Sequence, residues 1–319
     1  MNRTWAAMRF RLVFHNLILC GIVLAATLIP AWASSRPNAD QPPDINLGPL
    51  ITDTAVPIGQ GVFALQPLAL FNFQGGSFSP NWRRVSSHGD FYSLQLPVQL
   101  TFGPCPNVEI WLLTPYLQNW ARNAHLPSAP GVSSATFGGL GDTTLAIKYQ
   151  FQEETALLPT CTAFAGFGFP TGHHRHLNPA KLGTDLLGSG AYMFTPGVNL
   201  SKWVSPIYFY ANLWYTIPTT ATVDGERIHE RDLVTLNLCA QWVLTSQWSL
   251  LLEFYGNWQA GNVLGPKSKQ PAQELMGLVV GWEYYLNASW SFAGGLAVDV
   301  AGKNTGYNFT PILTVQYSF

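Results

Sequence analysis

Charge is scarce in this 319-residue chain, with only 10% of residues Asp, Glu, Lys or Arg. The few charges that interrupt apolar stretches are therefore the first candidates for function. Lys148, Glu253, Glu283 and Asp299 each sit inside a run of alternating apolar and polar residues, and Tyr255 shares the parity of Glu253. Charge in such a run is tolerated on a face turned away from hydrocarbon. These residues are expected to line a lumen, with Tyr208, Tyr210, Trp214 and Tyr285 on the same inward face and Glu109 of ambiguous facing. A lysine and three carboxylates in a narrow, poorly hydrated wall interact more strongly than surface pairs do. That chemistry is selection of a solute, or bracing of a wall by hydrogen-bonded pairs. It is not bond-making.

The histidines that follow the N-terminal apolar run are His88, His125, His173, His174, His176 and His229. All fall between the periodic segments. The run HHRH at 173–176 could hold a transition metal through its imidazoles, but it also reads as a solvated loop with Arg175 free to meet anionic headgroups. A lipid hydrolase needs a Ser–His pair oriented by a third group. No loop histidine has such partners at recognisable spacing, so neither catalysis nor a metal or other cofactor is called for.

The elements that must position these side chains follow from the ends and the periodicity. Arg3, Arg9 and Arg11 precede an apolar run from Leu12 to Ile29, and Ala31-Trp32-Ala33 follows. This pattern predicts a secretory signal over 1–33, cleaved after Ala33, with a membrane anchor as the alternative. Losing three arginines takes the net charge from −1 to −4, which excludes nucleic acid as an expected partner. Residues 34–58 carry Pro37, Pro42, Pro43, Pro49 and Pro57. They read as a flexible periplasmic lead-in, or as a plug if the segment folds back.

No later apolar stretch is long enough for a spanning helix, yet 13% of residues are aromatic and the mean hydropathy is +0.11. An exported chain this poor in charge is expected to be all-β, as a transmembrane antiparallel up-and-down barrel over 59–319. Twelve strands are predicted at 60–72, 91–103, 107–120, 141–152, 159–171, 189–203, 206–219, 231–245, 248–261, 272–287, 290–302 and 306–319. Alternate connections are short, and all but one of the rest are long. Short periplasmic turns and long outer loops give that asymmetry. The last strand alternates to its end, with Phe309, Leu313, Tyr317 and Phe319 on one face. That face is expected to meet lipid, and Phe319 resembles the terminal aromatic by which the barrel-assembly machinery recognises its clients.

GGLGDTTLAIKYQF (138–151) followed by GFGFPTG (166–172) resembles the family of outer-membrane barrels labelled for the MetA pathway of phenol degradation. The likeness extends through GSGAYMFTPGVNLSK and PIYFYANLWYTI, and His173 departs from the family pattern. The resemblance implies passage of aromatic compounds. Equal distance from a turn near residue 156 places Asp142 opposite Pro170 at the outer rim. There Asp142 could accept backbone N–H groups of the turn carrying Thr171 and Gly172. Gly139 and Gly141 would permit a sharp entry, and Gly172 the exit.

Twelve strands about 4.8 Å apart and tilted about 40° give a backbone diameter of roughly 24 Å, and a side-chain-lined lumen of roughly 10 Å before any plug. This admits small molecules. The expected function is an outer-membrane channel of a Gram-negative bacterium for small, aromatic or hydrophobic solutes. A surface barrel acting through its loops is the alternative. Cys105 and Cys161 share the periplasmic end, so a disulfide is conceivable in that oxidising compartment; Cys239 is expected to face the lumen as a thiol.

Overall fold

A computed structural model describes residues 47–86, 89–124, 127–261, 263–264, 268–269 and 271–319. The predicted signal 1–33 and the first part of the lead-in, 34–46, lie outside the described residues. By contacts, Pro43–Trp203 and Ile207–Phe319 form one compact unit; Val204–Pro206 belongs to the other, and its Ser205–Pro206 bond is cis.

Twelve antiparallel strands close into a barrel. They are β1 (Phe63–Phe78), β2 (Asp90–Cys105), β3 (Val108–Arg122), β4 (Thr143–Gln152), β5 (Thr160–Phe169), β6 (Met193–Val204), β7 (Ile207–Pro218), β8 (Leu233–Val243), β9 (Trp248–Gln259), β10 (Gln273–Tyr285), β11 (Trp290–Lys303) and β12 (Thr305–Ser318). Each pairs with its neighbour in sequence, and β1 pairs with β12 from Ala64↔Ser318 to Phe78↔Thr305 around a bulge at Gln74/Gly76. Closure satisfies every edge, as a strand wall in lipid requires. At the seam Phe63 N donates to Phe319 O (2.9 Å) and Phe319 N donates to Phe63 O (2.8 Å).

Strand period two sets the two faces. On β12, Leu313 and Phe309 are exposed outward while Ile312, Thr310 and Thr314 are buried inward. On β4, Ile147, Tyr149 and Phe151 point out and Lys148 points in. Outward aromatics gather near the end that carries Phe63 and Phe319. Phe63 stacks on Phe102 (4.2 Å), Trp290 packs on Tyr317 (4.6 Å) and Trp248 on Tyr284 (4.7 Å). Such a girdle marks a membrane–water interface.

The structure departs from the sequence reading in several places. Residues 121–140, expected to be loop, contain a strand Ala135–Leu140 paired to the outer part of β3. The expected loops 220–230 and 262–271 contribute Ala221–Val223, Glu226–His229, Val263–Leu264 and Ser268–Lys269 to a separate four-stranded sheet. These strands are too short to show alternation, and the two local pairs are joined only by Ile228 and His229 pairing with the distant Leu264 and Val263. Cys105, Cys161 and Cys239 are all free thiols. Two strands separate those bearing Cys105 and Cys161, so the pair stands roughly 14 Å apart along the wall, beyond disulfide reach.

Candidate functional site

The inward faces of the strands meet a segment of the chain itself. Residues 47–59 precede β1 and cross the lumen as a strap without strand structure. The strap has few side chains able to bond, so its backbone groups need partners once out of water. The wall supplies them. On β9 the Glu253 carboxylate accepts from Leu50 N (2.8 Å), Ile51 N (3.1 Å) and Thr52 N (2.7 Å). On β7, Asn212 reads both sides of one peptide residue: its Oδ1 accepts from Asp53 N (2.7 Å) and its Nδ2 donates to Asp53 O (2.8 Å). Ser201 on β6 accepts from Ala55 N (2.8 Å), and Thr162 on β5 donates to Ala55 O. Glu109 on β3 accepts from Ile58 N (2.7 Å).

A charged cluster fastens the middle of the strap. The Lys148 ammonium lies 3.0 Å from Asp53 and 2.8 Å from Glu109, and it also donates to Thr54 O (3.1 Å). Asn199 Nδ2 donates to the other Asp53 oxygen (2.9 Å). Lys148 is 1% exposed, so its ammonium is held by the carboxylates and not by solvent, while Asp53 stays partly exposed. Removing one partner from such a cluster leaves an unpaired buried charge.

At its start the strap is held by packing. Leu50 reaches the apolar group around Tyr208, Tyr210, Cys239 and Leu251 on one side, and Val279, Ala297 and Ile312 on another. Gly281 and Gly295 make room for it: a Cβ at these positions would stand 2.8 and 2.5 Å from Leu50 Cδ1. One leucine thus packs against two groups whose members come from β7 through β12.

The residues singled out from sequence divide into separate groups. Lys148 meets none of Glu253, Glu283 or Asp299, contrary to the expected charge pairing; its partners are Asp53, in the supposed lead-in, and Glu109, of ambiguous facing. Glu253 binds strap amides. Glu283, fully buried, accepts from Gln241 and Tyr285, and Gln241 in turn accepts from Tyr210 (2.7 Å). Asp299 accepts from Tyr255 (2.6 Å) and from Asn308. Parity indicates which residues face inward but not their azimuth round the barrel, which explains the misassigned partners.

The rim group lies at the other end. Asp142 Oδ1 accepts from Gly172 N (2.9 Å), and its Oδ2 accepts from Ser189 N and Ser189 Oγ, both at 2.7 Å. Thr143 pairs with Phe169, which sets Asp142 across from Pro170. Thr171 Oγ1 donates to Gly141 O (2.8 Å) and accepts from Thr143 N (2.9 Å). The glycines act differently from expectation, since none of Gly139, Gly141 and Gly172 has positive φ. They permit close packing: an added Cβ would stand 3.0 Å from Leu187 Cδ1 at Gly139, 3.0 Å from Pro115 and Leu117 at Gly141, and 2.7 Å from Leu187 O at Gly172. Ser189 was missed because nothing local links it to Asp142. Glu230, in the loop before β8, has its carboxyl pushed up by burial and then by the nearby Asp142 charge.

The HHRH run is part of this rim. His173 Nδ1 bonds Asp185 O (2.7 Å) and its ring lies against Phe137, while His174 Nδ1 bonds Gly172 O (2.8 Å). Among the described residues no group of three His, Cys, Asp or Glu side chains is arranged to hold a metal.

The family model described as "Putative MetA-pathway of phenol degradation" matches residues 106–278. Among solved structures, an outer membrane channel from Pseudomonas putida F1 superposes with a TM-score of 0.69 at 14% identity, covering 83% of this chain and 98% of its own. The translocator domain of the autotransporter NalP from Neisseria meningitidis gives 0.48 at 10% identity, over 82% and 90% of the two chains. The CymD monoaromatic hydrocarbon channel gives 0.44 at 9% identity, over 82% and 89%. No curated protein matches the sequence significantly. The first superposition supports the barrel fold; the other two are too remote to carry an argument.

Proposed function

For a chain that belongs to the MetA-pathway phenol-degradation family, we propose an outer-membrane channel for small, uncharged or amphipathic solutes, aromatic compounds among them, with the strap as its plug. The observation that carries this reading is how the lumen is filled. The side chains of a twelve-stranded wall alone leave a lumen of roughly 10 Å open. Here a separate segment occupies it, held chiefly by hydrogen bonds from wall side chains to its main chain. A filling of that kind can leave without dismantling the wall, because the strand ladder does not include it.

The family label and the channel from Pseudomonas putida F1 support the same direction. The inward face of aromatic and amide side chains suits neutral solutes better than ions. Export through cleavage after Ala33 and insertion by the assembly machinery belong to this proposal, as does the absence of enzymatic activity.

Swelling of proteoliposomes in phenol, arabinose and sodium benzoate tests it, with full-length protein beside a variant lacking 34–58. The reading requires faster entry of the neutral solutes through the shortened variant, with both barrels folded. The separate outer sheet of Ala221–Val223, Glu226–His229, Val263–Leu264 and Ser268–Lys269 favours a second reading, a surface role carried by the loops. Folded barrels with no flux in either form would promote it.

A further inference from the structure

Beyond the strap, toward the outer rim, the wall holds a recess of about 200 Å³. We infer that this recess is a binding subsite for a single neutral ring that carries a hydroxyl or comparable hydrogen-bonding group. It deepens the channel reading, since a solute entering from outside would meet the recess before the strap.

Size comes first. A cavity of about 150 Å³ already takes benzene, so a recess of about 200 Å³ has space for one ring with a substituent.

The lining then selects the chemistry. Asn72 and Gln74 come from β1, Ser93 from β2, Asn119 from β3 and Asn308 from β12. No charged residue is among the lining groups. Each amide spends one end inside the protein. Asn72 Oδ1 accepts from Thr310 Oγ1 (2.6 Å), Gln74 Nε2 donates to Gly76 O (3.2 Å), Asn119 Nδ2 donates to Thr184 O (3.0 Å) and Asn308 Nδ2 donates to Asp299 (2.9 Å). The donor end of Asn72 and the acceptor oxygens of Gln74, Asn119 and Asn308 remain for a solute. A hydroxyl, which both donates and accepts, suits that set; a carboxylate, which only accepts, would face three acceptor oxygens.

Phe91 and Leu182 supply apolar surface for the ring. Leu182 is itself buried against Ala121, Ala124 and Ala129, which fixes the loop that covers the recess. The Asn119–Thr184 hydrogen bond ties that loop to β3, so one lining amide both holds the cover and faces the solute.

The test is photolabelling of the full-length folded protein in detergent with 4-azidophenol, mapping adducts by mass spectrometry. Adducts are expected on peptides containing Phe91–Ser93 or Asn119. Phenol should compete at least about tenfold better than toluene, because a site built around a hydroxyl rejects the analogue lacking it; benzoate should compete no better than toluene. Ser93→Leu, which fills the recess and removes no amide, should abolish these adducts while heat-modifiable migration of the barrel is kept. Adducts distributed elsewhere, or equal competition by toluene and benzoate in the wild type, would overturn the subsite whatever the variant does. Labelling needs no transport. Adducts in the recess with no flux would therefore uphold the subsite and sink the channel, and flux without them would do the reverse.

Discussion

The Lys148 ammonium on β4 sits 3.0 Å from the Asp53 carboxylate of the strap and 2.8 Å from Glu109 on β3, so one cation joins the wall to what fills it. Replacing Lys148 by Met keeps the length of the side chain and leaves the buried Glu109 and the partly buried Asp53 without their cation. Breaking a buried pair from one side costs about 3–5 kcal/mol. The wall ladder is untouched, so the strap should yield first. Lys148→Met is expected to raise conductance in planar bilayers and expose residues 47–58 to added protease. Adding Asp53→Asn and Glu109→Gln should restore part of the closed state. Unchanged conductance in the single variant, with a folded barrel, would count against the latch.

Glu253 makes a different kind of attachment. Its carboxylate gathers three successive amides, and glutamine offers one oxygen and no charge. Glu253→Gln should weaken the strap by about 2 kcal/mol, since charge-assisted hydrogen bonds are roughly twice as strong as neutral ones. The expected readout is a rise in open probability with no change in barrel melting temperature. A lower melting temperature at constant open probability would make Glu253 a wall residue only.

At the rim, Asp142→Ala removes acceptors for Gly172 N, Ser189 N and Ser189 Oγ. A loss of about 2–4 kcal/mol is expected from donors left unpaired. It should be confined to the loop between β5 and β6, where trypsin sites at Arg175 and Lys181 become faster to cut. Cleavage at the wild-type rate would show that the brace is dispensable.

Glu230 gives a pH test outside the membrane wall. Its carboxyl is held above the usual carboxylate range by burial and by Asp142, so the folded state prefers the neutral acid. The unfolded chain binds fewer protons in the interval above the ordinary carboxylate range, and stability therefore falls as pH rises through it. Glu230→Gln should stabilise the protein at pH 7 and be neutral at pH 4, measured by urea unfolding. A larger gain at pH 4 would reverse the assignment.

The seam makes an assembly prediction. Phe319 exchanges two backbone hydrogen bonds with Phe63 and stacks near Phe63 and Tyr317. Deleting it should lower the yield of folded barrel in the outer membrane several-fold while leaving the melting temperature of the assembled fraction nearly unchanged. Wild-type yield would remove Phe319 from assembly.

Much of the wall was legible because strand alternation and turn length are local. Lys148 could be placed inside from its neighbours Ile147 and Tyr149 alone. The bond from Gly172 to Asp142 follows from counting equal distances to one turn. What escaped the sequence is contact across the lumen. Nothing around Asp53 announces Lys148, Asn199 or Asn212, each on a different strand and far along the chain. Gly281 and Gly295 look like weak points of two strands until Leu50 is seen between them. The short outer strands were missed for a related reason, since the sheet is joined by the pairing of Ile228 and His229 with Leu264 and Val263, from two different loops.

The central claim is that the strap is a removable plug, and a reversible tether tests it most directly. Ala55 N lies 2.8 Å from Ser201 Oγ, so Ala55→Cys with Ser201→Cys places two thiols at the strap–wall contact. Cys20, Cys105, Cys161 and Cys239 would be replaced first, so that the new pair is the only one able to form, with the bond checked by mass spectrometry. Conductance in a planar bilayer is then recorded before and after reductant. A plug held by the disulfide should keep the channel closed, and reduction should restore conductance. Equal conductance in the two states, with the bond confirmed, would contradict it.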